Sequence, residues 1–389
     1  MKHHFLSLLA AVAALSASAA DGTKPQDYLK LHKVNDHIYT MRAQADEVKP
    51  LEIDMSKVLG QNSVNKRALR MGCSAVTNGR YYGRNLDYFR SNHPVFVLWV
   101  DRGEGTAAYM GATASPQLFM SVASDMSIGK PDIAALEKQK ELLMSLPADL
   151  MDGVNEHGVA CNINMIDEQD SNITDKGTKP GAETTIPSVN VVNYILSHAT
   201  SAKHAVQLLE NANIVFADHS PTLHWMISDK HHTFVVEVKD DKMYVTDKHK
   251  VMTNYYLTTP EMTPHSCGIE RADILRRHYN EATSVEGMRQ LMRRVTYSQT
   301  YSWNTTPFWY SEFYDNPEKG MNFSLSTPHD NKAFVKYIDA SISQFEHSTP
   351  THNPWLVWET IYNCVYDMEA KTLRLTTCEQ WNEFVAFKL

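Results

Sequence analysis

The sequence lacks most of the signatures that assign a chemistry at sight. Its 389 residues contain no His-Glu-x-x-His, no Cys-x-x-Cys and no Gly-x-Ser-x-Gly, which removes the usual carriers of zinc-protease, dithiol and serine-elbow chemistry. Basic charge is not in excess. A formal net charge of −8 gives no electropositive footprint, so nucleic acid is not an expected partner. Long apolar runs are missing as well: the one at Phe5–Leu15 is too short to span a bilayer, so no stable membrane insertion is expected. The 18 histidines are scattered or sit in polar turns such as His231-His232, without metal-ligand spacing, so neither a metal nor another cofactor is expected.

Cysteine is scarce. The five residues at 73, 161, 267, 364 and 378 form an odd set, which in an oxidising compartment can leave one unpaired, and Cys73 is the expected free thiol. Cys364 and Cys378 flank a hairpin centred on Met368–Lys371, where a cross-strand disulfide could form. An oxidising compartment follows from the amino terminus. Met1-Lys-His-His, the apolar run and the small-residue ending Ser16-Ala-Ser-Ala-Ala20 read as a secretory signal peptide over residues 1–20, so the mature protein is expected to be exported, periplasmic or secreted. Residues 21–72 are polar and end in Lys66-Arg-Ala-Leu-Arg70. They read as a pro-segment or as an extension packed on the domain formed by residues 73–389.

The most informative stretch is Met71–Asp87. Asn78-Gly79 between two alternating runs is a hairpin signal, because both residues tolerate the positive φ of a type I′ turn. Counting outward from that turn sets Cys73 opposite Arg84 on one sheet face. A guanidinium beside a thiol favours thiolate and prepares a nucleophile. The plainer reading is a small buried hydrophobe on a strand.

Strands are predicted at Val95–Val100, Ala107–Ala112 and Val159–Met165, followed by a meander at Leu223–Ser228, Thr233–Lys239, Lys242–Thr246 and Val251–Leu257. Helices are predicted at Asp132–Ser145, Ser188–His198, Ser201–Asn211, Glu270–Tyr279 and Ser284–Val295, and a hairpin of Thr360–Tyr366 with Thr372–Thr377 ends the chain. Strand runs alternating with paired helices predict an α+β architecture in which antiparallel sheets pack face to face under helical layers.

Six segments then fall in one order: Cys73, Gly83-Arg-Asn-Leu-Asp-Tyr88, Asp152-Gly-Val-Asn-Glu-His-Gly158, His224-Trp-Met-Ile-Ser-Asp229, Val251-Met-Thr-Asn254 and Glu270-Arg271. In that order the chain resembles the choloylglycine hydrolases, the conjugated bile salt hydrolases and penicillin V acylases, with acid ceramidase and N-acylethanolamine acid amidase as relatives. The resemblance implies an N-terminal nucleophile hydrolase with a four-layer αββα sandwich. It further implies that cleavage between Gly72 and Cys73 makes Cys73 the first residue, with its own α-amine as general base; self-cleavage is the working expectation. An α-amine titrates near ~7.7–8.0, so it can take the thiol proton close to neutrality without a separate histidine.

The other roles carry over by position. Arg84 and Arg271 place positive charge near the thiolate, Asp87 orients the α-amine, and Asn254 supplies an oxyanion-hole amide. The second oxyanion donor of the family is a backbone N–H that falls on Met165, a position whose side chain the resemblance implies faces the substrate and where bile salt hydrolases carry asparagine and penicillin V acylases tyrosine; Asn164 reaches that place only through a one-residue slip that turns it to the other face. The short interval between Asn254 and Arg271 leaves no room for the hairpin used in bile salt hydrolase tetramers, so that interface is expected to be absent and the oligomeric state stays open. Tyr301–Tyr314, with seven aromatic residues, reads either as the lining of an apolar acyl pocket or as rings packed on the sheet. The expected partner is a small-molecule N-acyl amide, either a conjugated bile salt or a fatty N-acyl amide, with penicillin V acylase activity, acyl transfer to an amine and a non-catalytic binding protein as alternatives.

Overall fold

The computed structural model describes residues 20–50, 73–89, 94–114, 133–166, 177–216, 222–263, 266, 268–300, 308–310, 357–377 and 384–389. The first strands are β1 (Ala20–Gly22), β2 (His32–Lys33), β3 (Ile38–Ala43), β4 (Cys73–Thr77) and β5 (Tyr81–Phe89). Next come β6 (Val95–Val100), β7 (Tyr109–Thr113), β8 (Asp152–Asn155) and β9 (Ala160–Met165). A short pair, β10 (Thr185–Pro187) and β11 (Asn213–Val215), stands apart from the two large sheets. The meander is β12 (Leu223–Ser228), β13 (Thr233–Lys239), β14 (Lys242–Thr246) and β15 (Val251–Met252). The last strands are β16 (Tyr297–Thr300), β17 (Phe308–Tyr310), β18 (Val357–Asp367), β19 (Thr372–Thr377) and β20 (Val385–Lys388).

These strands form two nine-stranded sheets. One runs β1-β20-β19-β18-β5-β4-β15, with β16 and β17 joined to β18; the other runs β14-β13-β12-β9-β8-β7-β6-β3-β2. Their facing sides share one core, in which Leu86, Tyr362 and Tyr366 of the first sheet meet Val97, Trp99, Met110 and Met226 of the second. Two short helices, α1 (Ile133–Glu137) and α2 (Lys140–Ser145), precede α3 (Val191–His198) and α4 (Ala202–Asn211). The apolar faces of α3 and α4 cover the outer side of the second sheet, where Ile195, Leu196, Val206 and Leu209 pack with Cys161, Trp225 and Val236. Ser201 caps α4 by accepting the N–H of His204 at 3.1 Å, a contact whose loss costs about 1 kcal/mol. The outer side of the first sheet is covered by α5 (Gly268–Arg277) and α6 (Val285–Arg293), and the Asn85 amide on that side donates to the Met292 carbonyl at 2.8 Å. The layers are therefore helix, sheet, sheet and helix, as the sequence led us to expect of an α+β sandwich.

Several details differ from expectation. The sheets are not antiparallel throughout, because β1 runs parallel to β20 and β3 parallel to β6. All three of the strands β1–β3 come from residues 20–50, and their parallel pairings are crossovers that no hairpin signal announces. The helix expected over Asp132–Ser145 is split into α1 and α2, and regular pairing of the strand expected at Val251–Leu257 stops at Met252. Cys364 is a free thiol. It pairs across the hairpin with Leu375, three residues short of Cys378, so the cross-strand disulfide does not form. Cys378 and the aromatic segment Tyr301–Tyr314, apart from β17, lie outside the described residues.

The opening hairpin also has a different register. Cys73 pairs with Leu86 and Ala75 with Arg84, because the turn is centred on Gly79-Arg80 rather than on Asn78-Gly79. The Asn78 side chain accepts the N–H groups of Arg80 and Tyr81 at 3.0 and 2.7 Å, while Gly79 takes φ +91°. That is the first central position, where a type II′ hairpin turn demands glycine. The displacement is two residues, so face parity is preserved: Cys73 and Arg84 remain diagonal neighbours on the same side of the sheet.

Candidate active site

Cys73 opens β4, and its side chain faces the second sheet with Leu86 and Arg84. It is 7% exposed. Two buried ion pairs flank it from opposite faces of the first sheet. On the inner face Arg84 donates through Nη1 to Asp152 Oδ2 at 2.7 Å and through Nη2 to the Ile163 carbonyl at 2.7 Å. The same Nη2 lies 4.0 Å from Cys73 Sγ. On the outer face Arg271, from α5, donates through Nη1 to Asp87 Oδ2 at 2.7 Å.

Asp87 reaches the outer face because strand side chains alternate. A bulge in β18 at Ile361 brings Thr360 to that face beside it: Tyr362 pairs with Leu86, yet Thr360 pairs with Asp87. Thr360 Oγ1 then donates to Asp87 Oδ1 at 2.5 Å. Bulges of this kind re-aim side chains.

Asn254 follows β15 and links the two halves. Its Oδ1 accepts the backbone N–H of Cys73 at 2.8 Å and a bond from Arg271 Nη2. Because both neighbours are donors, the amide orientation is fixed, and Nδ2 points to β9, where it donates to the Met165 carbonyl at 2.8 Å. Ile166 donates its N–H to the Thr222 carbonyl at 2.9 Å, so the alternate residue Met165 directs its N–H and carbonyl to the opposite edge of β9. That edge is the one Asn254 faces. Asn254 is itself held by Ser266, whose Oγ donates to its carbonyl at 2.9 Å. Gly268 presses against the same backbone: a Cβ there would stand 2.5 Å from the Asn254 nitrogen.

Asn164 and Met165 take opposite faces of β9. Asn164 is buried between the sheets, accepting from Asn162 at 2.7 Å and donating to the Thr253 carbonyl at 3.3 Å. The Met165 side chain packs partly buried against the core beneath α3 and α4. All five residues expected to act together, Cys73, Arg84, Asp87, Asn254 and Arg271, are thus gathered around one point. Gly72 lies outside the described residues. Sequence reasoning missed Thr360, Ser266 and Gly268, which enter through a bulge and a turn, and it placed Asp152 in a motif without giving its carboxylate the inter-sheet contact with Arg84.

The electrostatics differ from the hairpin reading. Burial pushes the Cys73 thiol up, Arg84 opposes it, Asp87 adds to it, and the Asp87 carbonyl and Arg271 lower it. Desolvation wins because each guanidinium is already matched by a carboxylate. The thiol donates to the Asp87 carbonyl at 3.8 Å. Burial likewise raises the Asp87 carboxyl to about 7, against the pull of Arg271 and Thr360. Among the described residues no three His, Cys, Asp or Glu side chains gather as metal ligands.

Comparison with known proteins gives three findings. A search among curated proteins finds no match. Among solved structures, a variant of the conjugated bile acid hydrolase from Clostridium perfringens is similar with TM-score 0.42 and 18% identity, covering 82% of this chain and 92% of that one. The penicillin V acylase from Agrobacterium tumefaciens is similar with TM-score 0.38 and 14% identity, covering 79% and 82%. Identity and TM-score are low in both, so the chemistry rests on this chain's own geometry. The family model matches residues 137–292, a span that holds Asp152, Asn164, Met165, Asn254 and Arg271 and leaves out Cys73, Arg84 and Asp87. Over that span the chain is similar to the linear amide C–N hydrolases of the choloylglycine hydrolase family.

Proposed function

We propose that this protein is an exported cysteine amidase of the N-terminal nucleophile type, which cleaves the linear C–N bond of an N-acylated amine or amino acid through a thioester on Cys73. The observation that carries the reading is the seat of the Cys73 nitrogen, 2.8 Å from Asn254 Oδ1, with Arg271 on the same oxygen. In the continuous chain that nitrogen is a peptide N–H and cannot act as a base. Scission of Gly72–Cys73 converts it into an amine at the same place.

The amine then takes the Cys73 proton, and the thiolate attacks the acyl carbon as Asn254 Nδ2 and the Met165 N–H receive the developing oxyanion. Collapse breaks the C–N bond, and the leaving amine departs with the proton that the α-amine returns. Water next attacks the thioester and releases the acid and the thiol. Arg84 and Arg271 balance the charge that this cycle creates, and Asp87 holds Arg271. A conjugated bile salt or a fatty N-acyl amide is the substrate class we assign.

Protein verified to begin at Cys73 should hydrolyse at least one of taurocholate, glycocholate, penicillin V and an N-acylethanolamine, and an acyl-Cys73 adduct should be trapped by rapid acid quench. Cys73→Ala should remain uncut and inactive. Normal maturation of Cys73→Ala would overturn self-processing, and turnover without an adduct on Cys73 would overturn the thioester.

A further inference from the structure

The Asp152-Gly-Val-Asn run has a role that neither the nucleophile nor the oxyanion hole uses. Asp152 is completely buried between the sheets, and both of its oxygens are filled. Oδ2 accepts from Arg84 Nη1 at 2.7 Å and Tyr362 at 2.6 Å; Oδ1 accepts from Tyr366 at 2.5 Å and from the Cys364 thiol at 3.3 Å. Arg84 Nη1 also donates to the Tyr362 hydroxyl at 3.1 Å. Burial and then the Asp152 charge push Tyr362, Tyr366 and Cys364 well above their ordinary pKa values, so all three stay protonated and act as donors. With Asp152 on one side and the Ile163 carbonyl on the other, the guanidinium has one orientation, and in it Nη2 faces Cys73 Sγ at 4.0 Å.

We propose that Asp152 is a positioning residue that divides the charge of Arg84 between itself and Cys73, and so sets the pH at which the Cys73 thiol ionises. The charged and titratable groups facing this cluster are Arg84 and Asp87 on β5, Arg271 on α5, Tyr362, Cys364 and Tyr366 on β18, with Tyr82 and Cys161 at its far side. Of these, Asp152 and Cys73 are the two that meet the Arg84 guanidinium on the inner face; Asp87 feels its charge through the sheet but gives its hydrogen bonds to Arg271 and Thr360 on the other face. A buried cation left without its carboxylate seeks the nearest anion, and here that anion is the thiolate. The catalytic consequence rests on Cys73 being the nucleophile, but the titration does not.

The test is therefore alkylation of Cys73 by iodoacetamide across pH, read at the peptide level by mass spectrometry, which needs neither cleavage nor substrate. Asp152→Asn should move the alkylation midpoint down by about one pH unit, about tenfold more thiolate at neutral pH. Tyr366→Phe removes one donor from Asp152, leaves it leaning harder on Arg84, and should move the midpoint up. Arg84→Met should abolish both shifts. Midpoints that stay at the wild-type value, or that move the same way in Asp152→Asn and Tyr366→Phe, would overturn the proposal; if Asp152→Asn does not fold, the upward shift of Tyr366→Phe and its loss with Arg84→Met decide alone. Opposite shifts in a protein that turns over no amide would leave this inference standing and sink the amidase reading instead.

Discussion

The backbone N–H of Cys73 donates to Asn254 Oδ1 across 2.8 Å, so in the proposed mechanism the atom that becomes the base is held by the residue that receives the oxyanion. Replacement of Asn254 removes both functions. Asn254→Ala should mature slowly, and enzyme cleaved by other means should lose about 10²–10³ in kcat with little change in KM. Intact mass reads the first effect and steady-state kinetics the second.

Gly268 tests whether the seat of Asn254 matters as well as its chemistry. A methyl group at 268 would overlap the Asn254 backbone, and the obstacle is main chain, which cannot swing aside. Gly268→Ala should therefore lower kcat by about 10²-fold, the scale of a displacement near 1 Å. Full activity in a folded Gly268→Ala protein would exclude this seating.

The Arg271–Asp87 pair is fully buried, so breaking it on one side is costly. At pH 8, above the Asp87 pKa of about 7, Arg271→Met leaves the buried carboxyl without its cation and should destabilise the fold by about 3–5 kcal/mol, read by urea unfolding. The double variant Arg271→Met/Asp87→Asn should recover part of that loss. A double variant no more stable than the single would show that the two residues are not coupled.

Asp87 also gives stability a pH dependence. Its native pKa of about 7 lies above the unfolded value of ~3.9, so between those limits the native state binds the extra proton. Its contribution to stability is therefore full below the unfolded pKa and is lost as pH rises through about 7. Asp87→Asn should flatten the fall in Tm over that window relative to wild type. Parallel Tm curves would refute the assignment.

Much of this fold is written locally. The meander strands Leu223–Ser228, Thr233–Lys239 and Lys242–Thr246 have the boundaries their alternation indicates, and Asp240-Asp241 takes the two positive φ values that a two-residue hairpin needs. What escaped reading is non-local. β3 is an interior strand through its pairing with β6, and β8 is a polar Asp-Gly-Val-Asn strand stabilised by the Arg84 contact rather than by propensity. At the site, residue order pointed to five side chains that the fold brings close together, but the Asn78 side chain displaced the hairpin register and the burial of Cys73 reversed the expected shift of its thiol. Neither follows from residue order alone, since both depend on what packs above the hairpin.

β3 carries one more consequence. It lies inside the second sheet between β6 and β2, with Met41 wholly buried, and Lys24, Tyr28 and Arg42 converge on Asp101 of the other segment. A cut before Cys73 would sever the polypeptide without severing the sheet. A protein nicked there should elute as one particle under native conditions and resolve into two bands on a denaturing gel; such a cut would leave residues 20–50 a resident subunit and make maturation an act of partition rather than of release.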